Sequence, residues 1–165
     1  MNIALERQER EHESILRFAS STEPHQTLFH LKTNHGIETL FEAAGSERLI
    51  VVVVYTSSCG VCSRVLKAVD AVRKEYADHA GVLFCKHDAQ TEYDTRSDVS
   101  QLYRITSVPT ILFFADGALV RRSNPIRDVR EGFGRRSSLD IEKELNCLSS
   151  TVSAMVADML EEQLL

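Results

Sequence analysis

An α/β architecture, a mixed central sheet flanked by helices with an added N-terminal helix and a long C-terminal helix, is predicted by three observations. The run Leu49-Ile-Val-Val-Val-Val-Tyr55 holds six consecutive aliphatic residues without alternation, which marks a strand buried on both faces, as in a parallel sheet covered by helices. After it, Cys62, Val65, Leu66, Val69, Val72 and Tyr76 fall on one helical stripe, with Arg64, Lys67, Asp70 and Lys74 outside it. Further on, residues 111–115 and 118–122 flank Asp116-Gly117, a two-residue hairpin turn. A parallel crossover unit joined to an antiparallel hairpin makes the sheet mixed.

The remaining elements follow in order. Residues 2–19 read as a charged helix with apolar residues only near its ends (Ile3, Leu5, Ile15, Leu16, Phe18) and a middle too polar to bury. Residues 20–26, with Pro24, break it, and 27–32 alternate enough for a short strand. Asn34 is expected to cap a helix whose Ile37, Leu40, Phe41 and Ala44 share a face and which Gly45 ends. Gly81 is expected to stop the helix after the central strand, 82–87 reads as a strand, and 97–104 as a short capped helix. A final helix starts near Ser138, with Ile141, Leu145, Leu148, Val152, Met155 and Met159 stepping by 4 and 3. Its first half is expected on the sheet. Beyond Leu148 the seam is expected to meet residues 2–19 or a helix of a partner protein. The expected division is an N-terminal helical extension at 1–26, one domain at 27–148 and a C-terminal helical extension at 149–165.

A chain of 165 residues, 43% hydrophobic and 26% charged, builds one sizeable core and is neither disordered nor collagen-like. The net charge of −5 argues against general binding to nucleic acid or to anionic membranes. One stretch departs from this: residues 121–136 carry six Arg against Asp128 and Glu131, a local +4 that reads as a solvated loop or an anionic docking surface. No apolar run approaches the roughly 20 residues of a membrane-spanning helix. Glu and Arg interleave at the N-terminus, unlike a secretory signal. A reducing intracellular compartment is therefore expected, cytoplasm or an organelle matrix or stroma, and not secretion.

Four cysteines are too few for a disulfide scaffold, and two of them form Cys59-Gly60-Val61-Cys62. Placement separates redox from metal chemistry here. Cys59 follows the buried strand and opens an amphipathic helix, so its sulfur meets unsatisfied backbone N–H groups and the positive end of the helix dipole, which favour thiolate. Cys62, one turn on and within the apolar stripe, is the more buried partner. An exposed nucleophile with a shielded neighbour is what disulfide exchange requires. Cys85 and His87 share a face of their strand and could in principle join the pair around zinc, but no second C-x-x-C accompanies them and no metal site is expected.

At these residues the sequence resembles the thioredoxin family, from about Thr27 to Leu148. Tyr55-Thr-Ser-Ser-Cys-Gly-Val-Cys62 stands where the family has W-C-G-P-C, Lys86-His-Asp88 ends the third strand, and Tyr103-Arg-Ile-Thr-Ser-Val-Pro-Thr110 is like the family's Y-x-I-x-x-[IV]-P-T. The resemblance implies a thioredoxin fold and a cis Pro109 beside the cysteine pair. It also implies that the backbone of Val108 pairs with an extended substrate segment. Three departures stand out: Ser58 replaces the family's Trp, Val53 occupies the position of its buried acid so that Lys86 loses a partner, and Val61 replaces the Pro between the cysteines.

The expected function is thiol-disulfide exchange on protein disulfides, in the service of cell redox homeostasis. Cys59 and Cys62 are its catalytic pair; Ser58, Gly60, Val61, Val108 and Pro109 form the substrate-binding surface. No cofactor is expected; the partners are protein disulfides and an electron-donating reductase or thiol. The alternative is a thioredoxin-fold adaptor, a structural subunit of a larger complex with weak or no redox activity, which Ser58 and Val53 favour.

Overall fold

A computed structural model describes residues 2–126 and 138–164. The elements are α1 (Ile3–Ser20), β1 (Phe29–His30), α2 (Asn34–Ala44), β2 (Leu49–Tyr55), α3 (Gly60–Glu75), β3 (Val82–Asp88), α4 (Asp98–Leu102), β4 (Thr110–Ala115), β5 (Ala118–Ser123) and α5 (Ser138–Leu164). The sheet runs β1-β3-β2-β4-β5. Its β1–β3 and β3–β2 pairs are parallel, and its β2–β4 and β4–β5 pairs are antiparallel.

The uninterrupted valines of β2 make sense at the centre of this sheet. Leu49, Val51 and Val53 point into one core with Val65, Val69 and Val72 of α3 and the apolar residues of α5. Ile50, Val52 and Val54 point into the other, with Ile15 and Phe18 of α1, Ile37 and Leu40 of α2, and Val99 of α4. Side chains alternate across a strand, so only a strand apolar on both faces can serve two helical layers. At the hairpin, Asp116 (φ 50°) and Gly117 (φ 73°) both take the left-handed conformation that a type I′ turn requires. Gly45 closes α2 at φ 70°, its N–H donating to the Phe41 carbonyl at 3.1 Å.

Four expectations change. The strand over 27–32 contracts to Phe29–His30, with Leu28 and Leu31 buried on either side of it. Thr33 caps α2, its hydroxyl accepting from the Gly36 N–H, and Asn34 is the first helical residue. Helix α3 ends at Glu75, so Tyr76 is its C-cap and Gly81 is not the stop. The largest change concerns α5. Leu148, Val152, Met155, Val156, Met159 and Leu160 are buried against α3 and the sheet, and Ser153 donates to the Glu75 carboxylate at 2.9 Å. The seam beyond Leu148 thus faces neither residues 2–19, which pack on α2 on the opposite side of the sheet, nor an open surface awaiting a partner helix. The side chains of Ile141 and Leu145, and residues 127–136 of the Arg-rich stretch, lie outside the described residues.

Candidate active site

The cysteine pair sits where β2 hands over to α3. Cys59 is the N-cap of α3, and its sulfur accepts from the Cys62 N–H at 3.2 Å. A thiol sulfur therefore fills the role usually taken by a Ser or Asp oxygen at a helix start. The Cys59 N–H donates to the Thr56 carbonyl at 3.2 Å, which fixes the turn out of the strand. Cys59 and Cys62 are joined as a disulfide with their Cα atoms 5.3 Å apart. Cys59 is half-buried, while Cys62 is only 1% exposed. That asymmetry is the one expected from the helical stripe. In the reduced state the same helix end supplies N–H groups and a positive dipole to the Cys59 sulfur.

The surrounding surface is small and open. Ser58 and Gly60 are exposed and Val61 is half-buried; a side chain at Gly60 would meet nothing within 4 Å. Thr110, the first residue of β4, pairs with Val54 near the end of β2. The preceding Pro109 is thereby carried to the same end of the sheet as Tyr55 and the start of α3. The Val108–Pro109 bond is cis, Pro109 is buried, and Val108 is half-buried. The Thr110 hydroxyl donates to the Ser107 carbonyl at 2.6 Å and holds this loop from its far side.

In the central strand, Val53 is fully buried in the core that α3 covers and pairs in register with Lys86 on one side and Ile111 on the other. Lys86 is half-buried with its ammonium 6.0 Å from the centre of the Tyr55 ring. Burial pushes the Tyr55 phenol up, and the Asp88 carboxylate adds to this.

His87 and Cys85 take no part in the site. Cys85 is fully buried in the core under α1 and α2, and burial pushes its thiol up. The His87 ring nitrogens contact the Leu31 carbonyl and the Ser97 hydroxyl, each at 2.8 Å. With both nitrogens engaged on the face away from α3, the ring is no ligand for the pair. Among the described residues no group of three or more His, Cys, Asp or Glu side chains gathers to hold a metal ion. A cleft of about 410 Å³ lined by His25, Arg48, Arg73 and Tyr76 lies at the other end of β3, away from the cysteines. Arg73 of α3 is buried, paired with Asp70 at 2.7 Å and donating to the His25 carbonyl.

Comparison with known proteins agrees with this geometry. The family model described as Thioredoxin matches residues 33–131. Thioredoxin-like 4, chloroplastic, of Arabidopsis thaliana is 30% identical over 99 residues, 59% of this chain and 48% of that protein. Thioredoxin-2 of Saccharomyces cerevisiae is 32% identical over 79 residues, 48% of this chain and 69% of that protein. The X-ray structure of Fasciola hepatica thioredoxin is similar with a TM-score of 0.52 and 31% identity, covering 63% of this chain and 94% of that one. The chain spans about half the length of the plant relative.

Proposed function

The chain belongs to the thioredoxin family, and from that membership we propose that it is a thiol-disulfide oxidoreductase acting on protein disulfides through Cys59 and Cys62. The observation that carries the reading is the Cys59–Cys62 disulfide at the start of α3, half-buried on one sulfur's side and fully buried on the other's. The Cys59 thiolate attacks one sulfur of a substrate disulfide. That S–S bond breaks, a mixed disulfide forms, and the departing substrate sulfur takes up a proton. The Cys62 thiolate then attacks the Cys59 sulfur and releases the second substrate thiol. The substrate gains two electrons and two protons, and the pair closes as the disulfide seen here. An external reductase or thiol reopens it.

Ser58, Gly60, Val61, Val108 and Pro109 form the surface against which a substrate strand lies, Val108 lending its backbone to it. Val53 offers no proton acceptor behind Cys62, so resolution of the mixed disulfide is the slow step. The plant relative's name places that protein in the chloroplast; together with the need for a reductant, this supports an organelle matrix or stroma for the present chain.

The adaptor reading draws on Ser58 and Val53, but its helical docking seam is the one α3 covers. A redox titration paired with insulin reduction separates the two readings. A reversible two-electron couple, turnover abolished in Cys59→Ser and a trapped mixed disulfide in Cys62→Ser support the enzyme. A reversible couple without turnover, or no trapped species, supports the adaptor.

A further inference from the structure

Two arginines from separate segments converge on the turn that leads into the Val108–Pro109 loop. Arg122 of β5 donates through one guanidinium nitrogen to the Arg104 carbonyl at 3.3 Å and through the other to the Tyr103 carbonyl. Arg96, ahead of α4, donates to the Ile105 carbonyl at 2.7 Å and to the Ser100 carbonyl at 3.3 Å. Three consecutive carbonyls, at 103, 104 and 105, are each held by a charged donor. Bonds from ionised donors are the stronger class. The turn needs holding, because Arg104 sits at φ 51° with a bulky side chain. The three carbonyls lie just past a helix of only five residues, outside its own bonding. Neither arginine has an ion-pair partner among the described residues. Both are exposed.

We propose that Arg96 and Arg122 are positioning residues that clamp the Tyr103–Ile105 turn and thereby set the place of the Ser107–Pro109 loop for the substrate strand. The inference rests on the thiol-disulfide function proposed above. Only Thr106, Ser107 and Val108 separate the clamped turn from Pro109, and the Thr110 hydroxyl holds Ser107 from the other side. The loop is thus anchored at both ends by side-chain bonds to its own carbonyls. At Arg122 two nitrogens of one planar guanidinium reach the two carbonyls, a fixed geometry that a flexible ammonium lacks.

The test uses the full chain with Arg122→Ala, Arg122→Lys and Arg96→Ala, read by amide hydrogen exchange over residues 99–110 and by insulin reduction. Exchange is expected to speed up at Tyr103, Arg104 and Ile105, whose N–H groups bond to the Val99, Gln101 and Ser100 carbonyls. KM for insulin is expected to rise about tenfold, equivalent to roughly 1.4 kcal/mol, with kcat and the reduction potential of the pair unchanged. Arg122→Lys is expected to behave as Arg122→Ala. If Arg122→Lys matches wild type, charge and not the fork is what counts, and the proposal is overturned. Unchanged exchange overturns it as well, as does faster exchange with unchanged KM. A wild-type chain inactive on insulin defeats the functional reading instead, while the exchange data still decide whether the clamp exists.

Discussion

At the residue scale, the two cysteines differ by position and not by type. Cys59 is reachable and sits at a helix N-terminus, whereas Cys62 is shut away. Alkylation of the reduced protein near neutral pH, with adducts mapped by mass spectrometry, is therefore expected to label Cys59 well before Cys62; preferential labelling of Cys62 contradicts the assignment. Val53 makes the second residue-level case. Val53→Asp places a carboxyl beside its register partner Lys86, in the core that α3 covers. Resolution of the mixed disulfide is expected to accelerate while the melting temperature falls, since a buried polar group without full hydrogen bonding costs about 1–3 kcal/mol. An unchanged resolution rate in a folded variant removes Val53 from the proton path. The third case is His87. Burial lowers its pKa, and the Leu31 carbonyl with Asp98, Asp88 and Glu11 offsets this only in part. A histidine held below its unfolded value of about 6.5 binds its proton first in the unfolded chain, so stability is full above that pH and declines as pH falls toward the folded pKa. His25 and His30 are shifted the same way. The expected outcome is a shallower fall in melting temperature between about pH 7 and pH 5 for His87→Gln than for wild type.

At the element scale, α5 carries the most energy that sequence periodicity alone left without a place. Residues 152, 155, 156, 159 and 160 are all buried against α3 and the sheet. Each such side chain contributes roughly 1.5–3 kcal/mol, and a domain's whole stability is only about 5–15 kcal/mol. Truncation after Leu148 is accordingly expected to abolish the cooperative thermal transition, and not merely to remove an appendage. A truncated chain that melts within a few degrees of full length would show that α5 adds little beyond Leu148. The heptad-like stepping of these residues was visible in the sequence, but a 4-3 seam fits a helical partner, an N-terminal helix or a sheet-backed α3 equally well. Only the tertiary packing of α5 on α3 decides among these.

At the scale of the whole molecule, the sheet separates two cores that share β2. α1 belongs to the core under α2 and α4, across the sheet from α3 and the cysteines. Its Glu11 accepts from the Lys32 N–H at 3.3 Å and the Thr33 hydroxyl at 3.1 Å, which ties it to the start of α2. Deleting residues 1–20 removes Ile15 and Phe18 from that core. The expected result is a lower melting temperature, reflecting about 1.5–3 kcal/mol per side chain, with the reduction potential of the Cys59/Cys62 pair unchanged. A shifted potential would mean that the two faces communicate through β2. Calorimetry and redox titration of the same preparation read both.

The element order, the central strand and the hairpin were legible because each rests on local periodicity or on turn chemistry that a few residues dictate. Six aliphatic residues in a row admit little but a doubly covered strand, and Asp-Gly between two short apolar runs admits little but a tight turn. The cysteine pair was legible for the same reason, since strand, turn and helix start are all contiguous around Cys59. What the sequence left open are relations between distant segments. Arg96 and Arg122 are ordinary surface residues until β5 and the segment before α4 bring their guanidiniums to the same turn. His87 reads only as a strand residue sharing a face with Cys85 until its two nitrogens find Leu31 and Ser97. The α5 seam reads as meeting residues 2–19 or a partner helix until α3 lies beneath it. In each case a side chain's role depends on which group satisfies it, and that group lies at a sequence distance over which no periodicity extends.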